Sequence, residues 1–159
     1  MNARPDERPQ APGTQDAPAA QEPAPALPPR VLIVDDHPLN VELARFLLEA
    51  DGWAVEAAGD GLSGLARIEQ GGLDAVLMDI QLPGLDGLSL TQRLRAQPAH
   101  DRLAIIAFTA YAMQGDEARM RAAGCDSYVS KPIEVRRFTA TIREALAQAQ
   151  ARVPRSPPP

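Results

Sequence analysis

Three short runs of apolar residues, Val31-Leu32-Ile33-Val34, Ala75-Val76-Leu77-Met78 and Ile105-Ile106-Ala107-Phe108, stand out in an otherwise mixed chain. Each is continuous rather than alternating, which is the pattern of a strand covered on both faces, so they predict the central strands of a parallel sheet. Helical punctuation fills the intervals. Pro38 suits a first turn, Leu39, Leu43, Phe46 and Leu47 recur at helical spacing, and Gly52 follows the end. Asp60 opens a second helix closed by Gly71-Gly72. Gly87 to Ala96 forms a third ended by Pro98, Gln114 to Ala123 a fourth ended by Gly124, and Val135 to Ala149 a last one. With weaker strands at Trp53 to Ala57 and Ser127 to Val129, five βα units follow one another. Right-handed crossovers then place helices on both faces of a five-stranded parallel sheet, a doubly wound α/β fold.

The ends of the chain have a different character. Of 16 prolines, eight precede residue 30 and four follow residue 150. Residues 1–29 are rich in Pro, Ala and Gln without an aromatic residue and cannot bury enough apolar surface to offset chain entropy. They predict a disordered arm, residues 151–159 a disordered tail, and residues 30–150 a single domain. A net charge of −5 gives no electrostatic support for nucleic-acid binding. No apolar run approaches the ~18 residues of a membrane span, and the first thirty residues lack the apolar stretch of an export signal. A cytoplasmic location is expected, and the single Cys125 reads as a reduced structural residue.

In doubly wound sheets, ligands sit beyond the carboxyl ends of the strands. The polar residues ending the apolar runs are Asp35-Asp36, Asp79 and Thr109, and the fifth strand is followed by Lys131-Pro132. Taken singly, Asp35 or Asp79 fits a helix cap or a turn. Together they put three carboxylates on one rim, which repel one another unless a cation or a proton intervenes. A short list of oxygen ligands suits magnesium better than calcium, and such an ion makes phosphoryl transfer to a carboxylate feasible, with Thr109 and Lys131 holding the remaining oxygens. Lys131 is the only lysine among 16 basic residues, and a compact ammonium rather than a planar guanidinium suits a point contact to a phosphoryl oxygen. A cis bond before Pro132 would aim that lysine inward.

Four separated motifs carry a family likeness: Val34-Asp35-Asp36 with Pro38 and Asn40; Met78-Asp79-Ile80-Gln81-Leu82-Pro83 with Asp86-Gly87; Phe108-Thr109-Ala110; and Tyr128-Val129-Ser130-Lys131-Pro132-Ile133. In this order and spacing the chain resembles the receiver domain of two-component response regulators, with the flavodoxin-like (βα)5 fold of the CheY-like superfamily, from about Arg30 to Ala149. Within it, the runs Met78 to Pro83 and Thr109 to Asp116 look most like the DivK and PleD type. The resemblance implies that Asp79 is the phosphoacceptor and that Asp36, Asp79 and the Gln81 backbone carbonyl bind magnesium, with Asp35 acting through water. It further implies that Thr109 and Lys131 contact the phosphoryl group, and that Thr109 and Tyr128 form the switch. Tyr111, two residues past the threonine, is expected to shield the acyl phosphate from water.

The chain is expected to be a stand-alone signalling protein that assists its own phosphorylation and dephosphorylation. The implied partners are a histidine kinase or histidine phosphotransfer protein and a downstream protein target. A homodimer is compatible with the family. The implied output surface comprises Arg119, Met120, Pro132, Arg136 and Arg137, beside Tyr128. On the first helix, Val41, Ala44 and Leu48 fall opposite Leu39, Leu43 and Phe46. One stripe faces the core; the other meets either a partner or another part of the chain. Three rivals are weaker. A haloacid dehalogenase-type hydrolase needs a second aspartate two residues after the first, where His37 stands; a flavin binder needs a phosphate loop after the first strand; and a constitutive adaptor has no use for the intact acidic set with Lys131.

Overall fold

Strands form where the chain is apolar on both faces. The computed structural model describes residues 27–110 and 115–153. Its elements run β1 (Arg30–Val34), α1 (Pro38–Ala50), β2 (Ala54–Ala58), α2 (Gly61–Glu69), β3 (Ala75–Asp79), β4 (Gln81–Leu82), β5 (Leu85–Asp86), α3 (Gly87–Arg95), a 3₁₀ turn (Pro98–His100), β6 (Ala104–Thr109), α4 (Asp116–Ala123), β7 (Ser127–Ser130) and α5 (Val135–Ala151). Five strands form one parallel sheet in the order β2-β1-β3-β6-β7. This is the doubly wound α/β architecture expected, with the strand order reversing beside β1. Gln114 and Tyr111 lie outside the described residues.

Successive strand residues point to opposite faces, so each central run feeds two cores. Val31, Ile33, Leu77, Ile106 and Phe108 pack with Ala44, Leu48, Phe138 and Ile142 under α1 and α5. Leu32, Val34, Val76, Met78 and Ile105 pack with Leu65, Ile68, Leu90, Leu94 and Met120 under α2, α3 and α4. Each fully buried Leu, Ile or Val contributes about 1.5–3 kcal/mol. On α1 the inward stripe is Val41, Ala44 and Leu48, and the outward one is Leu39 (80% exposed), Leu43 (40%) and Phe46 (70%). The small Ala44 lets α1 lie close to the sheet, which fixes the choice that periodicity left open.

The foot of the sheet is tied by ions. The Asp126 carboxylate accepts from the Ile105 backbone N–H at 2.9 Å and from Arg95 at 2.9 Å, and it also pairs with Arg152. Arg152 donates as well to the carbonyls of Asp101 and Leu103. Helix α5 runs to Ala151, and the Asp126 carboxylate holds Arg152 just past its end. Residues 1–26 and 154–159 lie outside the described chain. No helix among the described residues is long and apolar enough to cross a membrane.

Candidate functional site

The register of β1, β3 and β6 sets the site. Val34 pairs with Met78 and Asp79 with Phe108, so the chain leaves three neighbouring strands at one level and puts Asp35, Asp79 and Thr109 on the same rim. Asp35 and Asp79 are each 2% exposed, whereas Asp36 is open to solvent. The backbone N–H of His37 donates to Asp35 Oδ1 at 2.8 Å, and that of Gln81 donates to Asp79 Oδ1 at 2.9 Å. Each loop therefore fixes its own carboxylate by a turn two residues long.

Lys131 arrives from the end of β7. Its backbone N–H donates to the Thr109 carbonyl at 2.7 Å, and the Lys131-Pro132 bond is cis. The ammonium lies 3.0 Å from Asp35 Oδ2 and 3.2 Å from Asp79 Oδ2, and 4.6 Å from the centre of the buried Phe108 ring. Asp35 Oδ2 makes no hydrogen bond of good geometry, so this ion contact is what compensates its charge. A backbone close approach holds the other side of the rim. A Cβ at Gly87, the first residue of α3, would lie 2.3 Å from the Asp79 carbonyl oxygen, and the Gly87 N–H donates to the Ile80 carbonyl at 3.1 Å. Only glycine lets α3 start there. Asp86 caps it through the Leu88 N–H at 3.1 Å.

Oxygen atoms of Asp35, Asp36 and Asp79 and a ring nitrogen of His37 all lie within 4.8 Å of one another. That upper bound slightly exceeds the about 4.2 Å between opposite ligands of an octahedral cation with bonds of about 2.1 Å, so small side-chain shifts would close the group on one ion. Charge points the same way, since three carboxylates share a single ammonium. The three carboxylates of the set are thus suited to a hard divalent ion.

Other residues are more dispersed. Thr109 is buried at the end of β6, and Gln81 is exposed in the short β4–β5 hairpin. Both line an open cavity of about 390 Å³ that continues from the rim toward Asp116, Arg119 and Met120. Tyr128 is half-buried against the core under α3 and α4. Arg119, Pro132, Arg136 and Arg137 are exposed, but Met120 is only 2% exposed and does not belong to an outer surface. It is one of two buried side chains that hold α4 to the sheet, and a short helix cannot spare it. Cys125 is buried, and burial pushes its thiol up to about 11, as expected of a structural residue. Sequence reasoning misses two features. The Phe108 ring beneath Lys131 is legible only as core. The His37 ring, 3.0 Å from Asp36 Oδ1, reads as a plain loop residue, although its place directly after the two aspartates is the signal that could have found it.

The response regulator receiver domain family matches residues 31–143. The polar-differentiation response regulator DivK of Brucella anthropi is 43% identical over 123 residues, 77% of this chain and 100% of that protein. Among solved structures, the receiver domain of a sensor histidine kinase from Pseudomonas aeruginosa is 34% identical, with a TM-score of 0.68 over 76% of this chain and 98% of that one. It was determined with a magnesium ion coordinated in its active-site cleft. The receiver domain of the Saccharomyces cerevisiae response regulator Ssk1, solved with the histidine phosphotransfer protein Ypd1, is 26% identical, with a TM-score of 0.69 over 77% of this chain and 92% of that one.

Proposed function

This chain belongs to the response regulator receiver family, and from that premise we propose that Asp79 accepts a phosphoryl group from a phosphohistidine, with Asp36, Asp79 and the Gln81 backbone carbonyl holding Mg2+ and Asp35 acting through water. One observation carries the reading: the mostly covered Lys131 ammonium, its side chain 15% exposed, bridges Asp35 and Asp79 beside an open third carboxylate. An Asp79 oxygen attacks phosphorus in line. The P–N bond breaks, its electron pair returns to the imidazole, and an acyl phosphate forms on Asp79. The bound cation would neutralise charge on the transferring oxygens. Lys131 leaves the Asp79 carboxylate, whose charge is now shared with phosphorus, and contacts a phosphoryl oxygen while keeping Asp35. The Thr109 hydroxyl turns to another oxygen, and the space it vacates admits the Tyr128 ring, changing the face around Arg119, Arg136 and Arg137 that a downstream protein reads.

The donor docks on the outward stripe of α1. Leu39 sits in the first turn after Asp35-Asp36-His37, and with Leu43 and Phe46 it forms an exposed apolar strip leading to the rim. A histidine phosphotransfer protein, the class of partner in the Ypd1–Ssk1 complex, is the donor this strip would take, through an apolar helix face of its own. Incubation with acetyl phosphate and Mg2+, read by intact mass, should add one phosphoryl group to the wild type and none to Asp79→Asn. An unmodified wild-type chain, or equal modification of the variant, sinks the proposal.

A further inference from the structure

We propose that His37 is a side-chain ligand of the cation at this rim, so that the site takes a borderline transition-metal ion such as Ni2+ much more tightly, relative to Mg2+, than its carboxylates alone would. This rests on the reading of the rim as a divalent-cation site. His37 Nδ1 stands 3.0 Å from Asp36 Oδ1 and 3.5 Å from Asp35 Oδ1. Adjacent ligands of an octahedral ion with bonds of about 2.1 Å are about 3.0 Å apart, so the imidazole already occupies a position one coordination edge from Asp36. The backbone turn holds it there, because the His37 N–H donates to the buried Asp35 carboxylate. Coordination needs the Nδ1 lone pair, with the ring proton on Nε2. That tautomer is available, since the His37 side chain is 67% exposed and Nε2–H can be solvated. Imidazole adds little for Mg2+, which prefers oxygen and water, but it binds Ni2+ and Zn2+ well.

Tag-free full-length protein would be titrated with Ni2+ and with Mg2+ by calorimetry at one fixed pH, alongside His37→Asn and Asp36→Asn. His37→Asn should weaken Ni2+ binding about tenfold or more and leave Mg2+ within about twofold, while Asp36→Asn weakens both. Zn2+ should also shift the His37 ring protons in NMR spectra and spare those of His100, the only other histidine, at the foot of the sheet. If His37→Asn leaves the Ni2+ to Mg2+ ratio unchanged, or Zn2+ leaves the His37 signals in place, His37 is not a ligand although the cation site stands. If Asp36→Asn affects neither metal, the cation site fails and this inference fails with it.

Discussion

Replacing Asp79 by asparagine should make the cation-free fold more stable, although it removes a buried ion pair. At an effective dielectric constant of about 20, the attraction between Asp79 and Lys131 at 3.2 Å is worth about 5 kcal/mol. The Asp79 carboxylate also lies within 4.8 Å of the carboxylates of Asp35 and Asp36, and at that dielectric each repulsion is about 3.5 kcal/mol. Relief of both repulsions outweighs the missing attraction by about 2 kcal/mol, and burying a neutral amide instead of a charge adds in the same direction. Lys131 keeps Asp35 as its partner. Urea unfolding followed through Trp53, the single and buried tryptophan, measures the difference with EDTA and then with saturating Mg2+. The variant should be more stable in EDTA, and Mg2+ should stabilise the wild type more than the variant. A variant weakened by about 1 kcal/mol or more in EDTA, or an equal response to Mg2+, would refute the electrostatic reasoning.

Other outcomes follow from the packing. Gly87→Ala places a methyl 2.3 Å from the Asp79 carbonyl, so it should cost about 2 kcal/mol or more and slow acetyl phosphate labelling. Gly52→Ala, strained only by its φ of +95°, should lose stability without slowing labelling, and equal labelling in both variants would refute the role given to Gly87. Burial and, to a lesser degree, Arg95 hold the His100 imidazole below its ordinary value, opposed by Glu69 and Asp101. The unfolded chain then binds the proton more readily, so stability should fall as pH drops below about 6.5, and His100→Gln should flatten that fall in unfolding curves from pH 7 to 5. An identical slope in both proteins would exclude this. Cys125, buried and pushed up to about 11, should react with iodoacetamide only at the rate of unfolding, and rapid labelling of the native protein would contradict its placement.

The alternation of elements is legible because the central strands are apolar on both faces and the helices carry clear stops. Asp60 caps α2 through the Ser63 N–H at 2.7 Å, and Gly124 ends α4 in the left-handed conformation, both as the sequence suggests. Residues ending strands converge wherever the strands are parallel and in register, so the gathering of Asp35, Asp79 and Lys131 is expected from topology alone. Packing settles what the sequence leaves open. Apolar residues on both sides of α1 give no unique inward face until Ala44 meets the sheet. Met120 looks available on a polar helix, yet α4 has little else to bury. The β4–β5 hairpin is two residues a side, too short for any periodicity. Arg152 sits in a stretch that composition marks as tail, and its partner Asp126 is 26 residues away.

The Arg152 clamp grips the starts of β6 and β7, and Arg30 begins β1 at that same pole. A fluorophore, a surface tether or a fused reporter joined directly at Arg30 or Arg152 therefore starts from the pole opposite the three carboxylates. Immobilised that way, the molecule keeps its acidic mouth and the oily ridge of α1 turned toward solution, so a biosensor could be built on it without obstructing either.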